Sequence, residues 1–135
     1  MSASPHTTRQ RLTDLRNGLL RLHKALLDSE RASYEREIAR INSSGQFLEL
    51  VLHDPWFAWL HELSELVVLI DEILEAEEAT SVFDAGRLIG EARALLVPAE
   101  TGSGFAKRYF EALQRDPDAV LAHAEMKKLL TALAL

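Results

Sequence analysis

His23 and Glu30 are the residues of this sequence whose types and spacing could do chemistry inside a protein. At about 100° per residue, both fall within the apolar stripe of the first predicted helix, beside Leu27 and Tyr34. A carboxylate there needs a partner or a shifted pKa, because an unpaired charge in a core is costly. One interpretation is an interior polar site in which His23 and Glu30 bind a ligand or transfer a proton. Tyr34 would line this site, and Asp71 of the next long helix would complete it.

A structural interpretation of the same residues is favoured over the ligand site. A satisfied pair of buried polar side chains, or a narrower apolar stripe, explains His23 and Glu30 without any ligand. Perturbed ionisable groups mark functional sites only as a statistical tendency. An enzyme that uses these residues as acid and base is a weaker third option, so the sequence points away from catalysis.

Metal ligands and catalytic nucleophiles are not arranged in any known pattern. A di-iron bundle needs Glu-x-x-His on two helices, yet none of the five histidines has an acid three residues before it. His-Glu-x-x-His and Gly-x-Ser-x-Gly are absent from the sequence. There are no cysteines, which excludes disulfides, thiolate metal sites and thiol catalysis. We therefore expect no metal site, no cofactor and no identifiable catalytic residue.

Trp56, Phe57 and Trp59 are the candidate protein-interface residues. Tryptophan anchors binding hot spots because it buries a large area while keeping a polar group. On a helical wheel the two tryptophans face inward, and Phe57 points away from the apolar side. The alternative is that the tryptophans cap one end of the core, as aromatic residues at helical spacing usually do.

The charge distribution excludes one class of partner. The net charge is −6, and residues 43–100 carry twelve acids and two bases, whereas residues 1–42 are mildly basic. Nucleic-acid binding needs a basic face that displaces counterions from phosphates. We expect no nucleic-acid partner and expect the acidic middle to pack beside the basic first helix.

Targeting signals are not visible in the sequence. The first residues lack a continuous apolar segment, and no stretch approaches the roughly 20 apolar residues that a membrane span needs. Together with the lack of cysteines, these observations favour a cytoplasmic protein without a membrane partner.

Helical spacing dominates the chain, and strand-like alternation is absent. Residues 1–7 are predicted to be a disordered lead, and residues 8–135 to form a single domain. Apolar residues recur by threes and fours from about Thr8 to Ile41, which predicts a long first helix. Ser43 and Gln46 then match a capping box for a short helix.

The later helices begin at recognisable caps. Asp54-Pro55 predicts the start of the main second helix, over about 55–78. Thr80 and Ser81 begin a third helix that runs to about Val97. A short helix is predicted over 105–115, and Asp116-Pro117 repeats the Asp-Pro start for the last one. Because the loops are short, the expected fold is all-α, a four-helix-bundle-like, antiparallel arrangement with an additional short helix.

The length of the first helix bears on assembly. A straight helix over residues 8–41 would be about 50 Å long, whereas a compact chain of this size is roughly 36 Å across. The helix must bend, be shorter, or extend to meet a partner, and Gly18 is the expected weak point. A homodimer that uses this helix or the tryptophan surface is the resulting expectation.

Two segments carry a family resemblance. Asp54–Glu72 and Tyr109-Phe-Glu-Ala-Leu-Gln-Arg-Asp-Pro-Asp-Ala-Val-Leu-Ala-His123 resemble small uncharacterised bacterial all-helical proteins. The resemblance implies an all-helical fold and a bacterial origin, and it implies no activity.

The sequence thus leads to two functional hypotheses. The first is a non-enzymatic helical-bundle protein that acts through protein association, with itself or with an unidentified protein. The alternative is a small-molecule or metal-binding bundle whose interior polar site contains His23, Glu30, Tyr34 and Asp71.

Overall fold

The protein is all-α. A computed structural model describes residues 5–76, 78–102 and 104–134, with side chains from residue 7 onward, and no strand occurs in these ranges. The elements are, in chain order, α1 Pro5–Glu37, α2 Ser44–His53, the 3-10 helix η1 Pro55–Leu60, α3 His61–Glu75, α4 Val82–Leu95, α5 Phe105–Arg115 and α6 Pro117–Leu133. No helix of the described part is long and apolar enough to cross a membrane.

Both Asp-Pro pairs begin helices, as the sequence predicted. The Asp54 carboxylate accepts a hydrogen bond from the backbone N–H of Trp56 at 2.9 Å, and Pro55 occupies the first position of η1. Asp116 accepts in the same way from the N–H of Asp118 at 2.9 Å, at the start of α6. Each carboxylate satisfies a backbone donor that has no partner within its helix.

The predicted capping box at the start of α2 is formed in a shifted version. The Ser43 hydroxyl accepts from the backbone N–H of Gln46 at 3.1 Å. The Gln46 side chain accepts from the N–H of Asn42 at 2.7 Å, one residue earlier than in the standard motif. These bonds fix the direction in which the chain leaves the α1–α2 loop.

The bounds of α1 differ from the prediction at both ends. The helix begins at Pro5, so residues 5–7 of the expected disordered lead are helical, and residues 1–4 lie outside the described residues. It ends at Glu37, four residues early. Beyond it, the backbone N–H of Ile41 donates to the Glu35 carboxylate at 3.3 Å. The chain therefore folds back and buries Ile41 without continuing the helix.

The predicted second helix is two elements of different pitch. Residues 55–60 form a 3-10 helix, and α3 begins only at His61. A 3-10 helix has three residues per turn, so Phe57 and Leu60 share one face, and both are buried. The prediction that Phe57 points away from the core is wrong, because it assumed α-helical spacing. Trp56 and Trp59 are half-buried.

The core is organised around α1, which contacts α3, α4, α5, α6 and η1. Its predicted apolar stripe is fully buried at Leu12, Leu15, Leu19, Leu22 and Leu26, as the spacing by threes and fours predicted. The prediction is wrong for Ile38, which lies beyond the end of α1 and is 59% exposed. The basic α1 also packs beside the acidic α3, as expected. Arg16 forms an ion pair with Asp71, and the Arg9 guanidinium donates to the Leu74 carbonyl at 2.7 Å.

Gly18 marks a close approach between helices, not a break. α1 is helical through this position. A Cβ on Gly18 would lie 2.5 Å from Leu129 Cδ2 and 3.1 Å from Met126 Sδ, both on α6. The absence of a side chain thus lets α6 pack directly on the α1 backbone. Gly18 therefore has a packing role against α6, in place of the expected role as a weak point of α1.

Candidate functional site

Glu30 is buried as predicted, but its partner is not His23. Its side chain, in α1, accepts a hydrogen bond from the Arg115 guanidinium of α5 at 2.7 Å. Only 3% of Glu30 is exposed, and the same Arg115 nitrogen also donates to the Ser29 hydroxyl at 3.1 Å. A buried charge is tolerated when it is paired and hydrogen-bonded in this way.

His23 has a separate contact on α3. Its Nε2 atom shares a hydrogen bond of 3.0 Å with the hydroxyl of Ser64. Burial lowers the pKa of His23, and the nearby His61 lowers it further when charged. Both effects disfavour the imidazolium, so His23 stays neutral at neutral pH. The Ser64 hydroxyl can pair with either neutral tautomer, because it can both donate and accept.

Tyr34 and Asp71 also have contacts of their own, separate from those of Glu30 and His23. The Tyr34 ring lies 5.8 Å from the rings of Trp56 and Phe57, while Asp71 is held by Arg16 on the α1–α3 boundary. Among the described residues, no hydrogen bond, ion pair or ring contact joins two of His23, Glu30, Tyr34 and Asp71. Each of the four predicted residues therefore has its own local partner.

A polar cavity of about 330 Å³ opens beside Glu30. It is lined by three arginines, three glutamates, a serine and a tryptophan: Arg36, Arg108, Arg115, Glu30, Glu37, Glu111, Ser33 and Trp56. The buried indole N–H of Trp56 has no hydrogen-bond partner in the described part of the protein. Of the four predicted ligand-binding residues, only Glu30 lines this cavity.

The three candidate interface residues differ in accessibility. Phe57 has no exposed surface and packs against Tyr34 and Phe47 with 5.8 Å between ring centroids. Trp59 packs against Phe105 at 5.2 Å. The aromatic rings connect η1 to α1, α2 and α5, so they hold the core together at this end.

The most accessible apolar helix is α2, which the sequence analysis did not single out. None of its ten residues is buried, although all ten are described. Its main packing partner is η1. Leu48 and Leu52, one turn apart on the same side of α2, are 57% and 52% exposed. Because an apolar helix normally buries one face, α2 presents apolar surface that this chain does not cover.

Further apolar side chains are exposed on α3 and α1. His61 Nε2 hydrogen-bonds to the Val51 carbonyl at 3.1 Å, which connects α2 to the start of α3. Val68, two turns after His61 on the same side of α3, is 54% exposed. Leu20 of α1 is also exposed. We call Leu48, Leu52, Val68 and Leu20 the apolar ribbon.

Leu20 falls near Val68 because of the pairing between α1 and α3. Arg16 of α1 pairs with Asp71, and His23 with Ser64. Leu20 lies between these two contacts on α1, and Val68 lies between them on α3. Leu20 and Val68 are thus flanked by an ion pair on one side and a neutral histidine on the other.

A second cavity, of about 350 Å³, lies where the end of α4 and the following loop meet α6. Its lining residues are Arg93, Leu96, Val97, Pro98, His123, Lys127, Leu130 and Thr131. His123 hydrogen-bonds through Nδ1 to the hydroxyl of Tyr109, a fully buried residue of α5. Sequence spacing could not predict this contact, because Tyr109 and His123 are on different helices.

Metal coordination has no support from side-chain placement. Within the described ranges, no three His, Asp or Glu side chains converge as a metal ion would require. Glu49 and His53 approach to 3.9 Å, but both are on the exposed surface of α2.

The fold and these contacts define an all-α protein with a polar cavity beside Glu30, a half-apolar cavity between α4 and α6, and an exposed apolar helix. Comparison with known protein families, curated proteins and solved structures finds no match to this chain. Function is therefore argued from the contacts alone.

Proposed function

We propose that this protein acts through protein association and that it forms a homodimer through the apolar ribbon. The observation that carries the proposal is α2, an apolar helix of which no residue is buried in the described chain. Burying apolar surface is the main driving force of association. Leu48 and Leu52 supply the most accessible part of that surface.

The proposed architecture is an antiparallel four-helix bundle of α1, α3, α4 and α6, with α5 as the additional short helix. Two contacts in each of two helix pairs support it. In each pair the residue numbers increase along one helix where they decrease along the other. Along α1 and α3, Arg16 pairs with Asp71 and His23 with Ser64. Along α1 and α6, Arg11 donates to the Leu133 carbonyl, whereas Gly18 approaches Met126.

The size of the surface favours a second copy of the chain as the partner. A stable interface buries about 800 Å² per partner, more than a ten-residue helix supplies alone. The apolar ribbon extends the surface across α3 to α1. Homodimer interfaces are more apolar than others, and a two-fold axis brings the same patch of both copies together.

The proposed setting is the cytoplasm of a bacterium. The lack of cysteines suits a reducing compartment, and the bacterial origin rests on the family resemblance. An unidentified protein could occupy the same face in place of the second copy.

Light scattering coupled to size-exclusion chromatography tests the proposal. We expect a dimer at micromolar concentrations for the wild type and a monomer for the double variant Leu48→Lys/Leu52→Lys. The control is Leu121→Lys on α6, which changes an equally exposed leucine (64%) outside the ribbon and should remain dimeric. A monomeric wild type at high micromolar concentration, or loss of the dimer in the control, contradicts the proposal.

A second candidate function is small-molecule binding at the cavity beside Glu30. It is favoured by the buried indole N–H of Trp56, which lacks a partner among the described residues. His23 has no support as part of this site, since its contact is with Ser64 on α3. Native mass spectrometry of the same samples reports any co-purifying ligand together with the oligomeric state.

A further inference from the structure

The cavity between α4 and α6 has the composition of a small-molecule site. Its volume of about 350 Å³ is at the lower end of the range for such sites. Half of its lining is apolar and half is polar. The apolar walls are Leu96, Val97, Pro98 and Leu130.

The charges at this cavity are all positive. Arg93 and Lys127 line it, and no acid is among the lining residues of the described chain. The guanidinium of Arg93 is held by a hydrogen bond to the Leu130 carbonyl at 3.0 Å. The ammonium of Lys127 has no hydrogen bond or ion pair with any described residue. In a protein of net charge −6, this local excess of cations indicates an anionic ligand.

The contact between His123 and Tyr109 determines which nitrogen of His123 carries the proton. Burial raises the pKa of the Tyr109 phenol far above its usual value, so the hydroxyl remains protonated. Its only described hydrogen-bond partner is His123 Nδ1. A buried hydroxyl needs an acceptor, so Tyr109 donates to Nδ1.

The proton of the neutral imidazole is therefore on Nε2. Burial and the charge of Lys127 lower the pKa of His123, which keeps the ring neutral at neutral pH. With Nδ1 occupied as an acceptor, Nε2–H is a donor without a partner in the described residues. His123 thus adds a directed N–H group to the two cations of the cavity.

We propose that this cavity binds a small organic carboxylate with an aliphatic body. The carboxylate accepts hydrogen bonds from Lys127 and from His123 Nε2–H, and the aliphatic body packs on Leu96, Val97 and Leu130. The apolar half of the lining gives an aliphatic body a surface to pack on, which inorganic phosphate cannot use. Tyr109 is a positioning residue, because it acts on the ligand only through His123. The proposal is independent of the apolar ribbon.

Isothermal titration of the wild type with sodium octanoate, octan-1-ol and inorganic phosphate tests the ligand class. We expect saturable one-site binding of octanoate, weaker binding of octanol, which lacks the charge, and none of phosphate, which lacks the aliphatic body. Octanol that binds as tightly as octanoate, or an absence of saturable octanoate binding, overturns the proposal. Tight phosphate binding overturns it as well.

Matched variants on α6 test the location of binding. Lys127→Met removes the free ammonium at an exposed position and should weaken octanoate binding about fivefold. Lys128→Met is the control, since Lys128 is exposed on the same helix but does not line the cavity. Equal effects of the two variants would refute the site.

The role of Tyr109 has its own spectroscopic readout. The ¹⁵N chemical shifts of His123 should show the Nε2–H form in the wild type and a mixture of both neutral forms in Tyr109→Phe. Octanoate binding should weaken in parallel. A wild-type ring protonated on Nδ1 would contradict the assignment.

Discussion

At the residue scale, the pairing of Glu30 with Arg115 shows what a helical wheel can and cannot predict. The position of Glu30 in the apolar stripe predicted that it is buried and needs a partner, and both are confirmed. The partner is 85 residues away, on a helix whose placement depends on the whole fold. Periodicity reports which face of a helix is buried, but it carries no information about the neighbouring helix.

Removing Arg115 should destabilise the protein strongly. In Arg115→Met, the Glu30 carboxylate remains buried without its counter-charge, which we expect to cost about 2 to 3 kcal/mol of unfolding free energy. Urea denaturation measures the loss. Glu30→Gln in the same chain should recover part of it, because the buried charge is then gone.

A surface ion pair provides the comparison for this prediction. Arg108 and Glu111 approach to 4.0 Å, and both are about half exposed. Arg108→Met should therefore cost less than about 1 kcal/mol. If Arg115→Met is no more destabilising than Arg108→Met, the buried pair does not have the energetic role assigned here.

At the element scale, local signals predicted where helices begin better than how they turn. The two Asp-Pro starts and the bounds of α5 are confirmed. The pitch of η1 was missed because six residues are compatible with either helix type; in the 3-10 form Phe57 and Leu60 share the buried face. Gly18 was misinterpreted for a similar reason, since its role depends on α6.

Alanine substitutions at two glycines should have opposite effects. Gly90 lies within α4 with open space around it, so Gly90→Ala should raise stability by about 0.5 to 1 kcal/mol through helix propensity. At Gly18 the added Cβ meets Leu129 at 2.5 Å. Overpacking there should exceed the gain in propensity and lower stability by about 1 kcal/mol. The stabilities of the two variants are compared by thermal unfolding. Stabilisation by Gly18→Ala would show that α6 shifts to accommodate the added Cβ at little cost.

At the scale of the whole molecule, two half-buried histidines make the free energy of unfolding depend on pH. The pKa values of His23 and His123 are both lowered, mainly by burial. The unfolded chain takes up these protons near pH 6.5, whereas the folded protein takes them up only at lower pH. The stabilisation is therefore complete above about pH 6.5 and is lost as pH falls towards the folded-state pKa values.

The unfolding free energy should accordingly decrease between about pH 7 and 5. His23→Gln should reduce the steepness of this decrease, because it removes one of the two protons taken up on unfolding. Urea denaturation at a series of pH values measures the slope. His53→Gln is the control, since His53 is 71% exposed on α2. An equal effect of the two variants would exclude His23 as a source of the pH dependence.

The contact between Arg11 and the Leu133 carbonyl has a consequence for synthesis on the ribosome. The two residues are 122 positions apart in the chain, and α6 covers the same helix whose leucine stripe forms the centre of the core. At typical translation rates of about 5–20 residues per second, roughly 6 to 24 s pass between the synthesis of the two contact partners. During that interval the five core leucines of α1 lack the part of their packing that α6 supplies. Chaperones that bind apolar segments of emerging chains therefore have a target in α1 before its last packing partner exists.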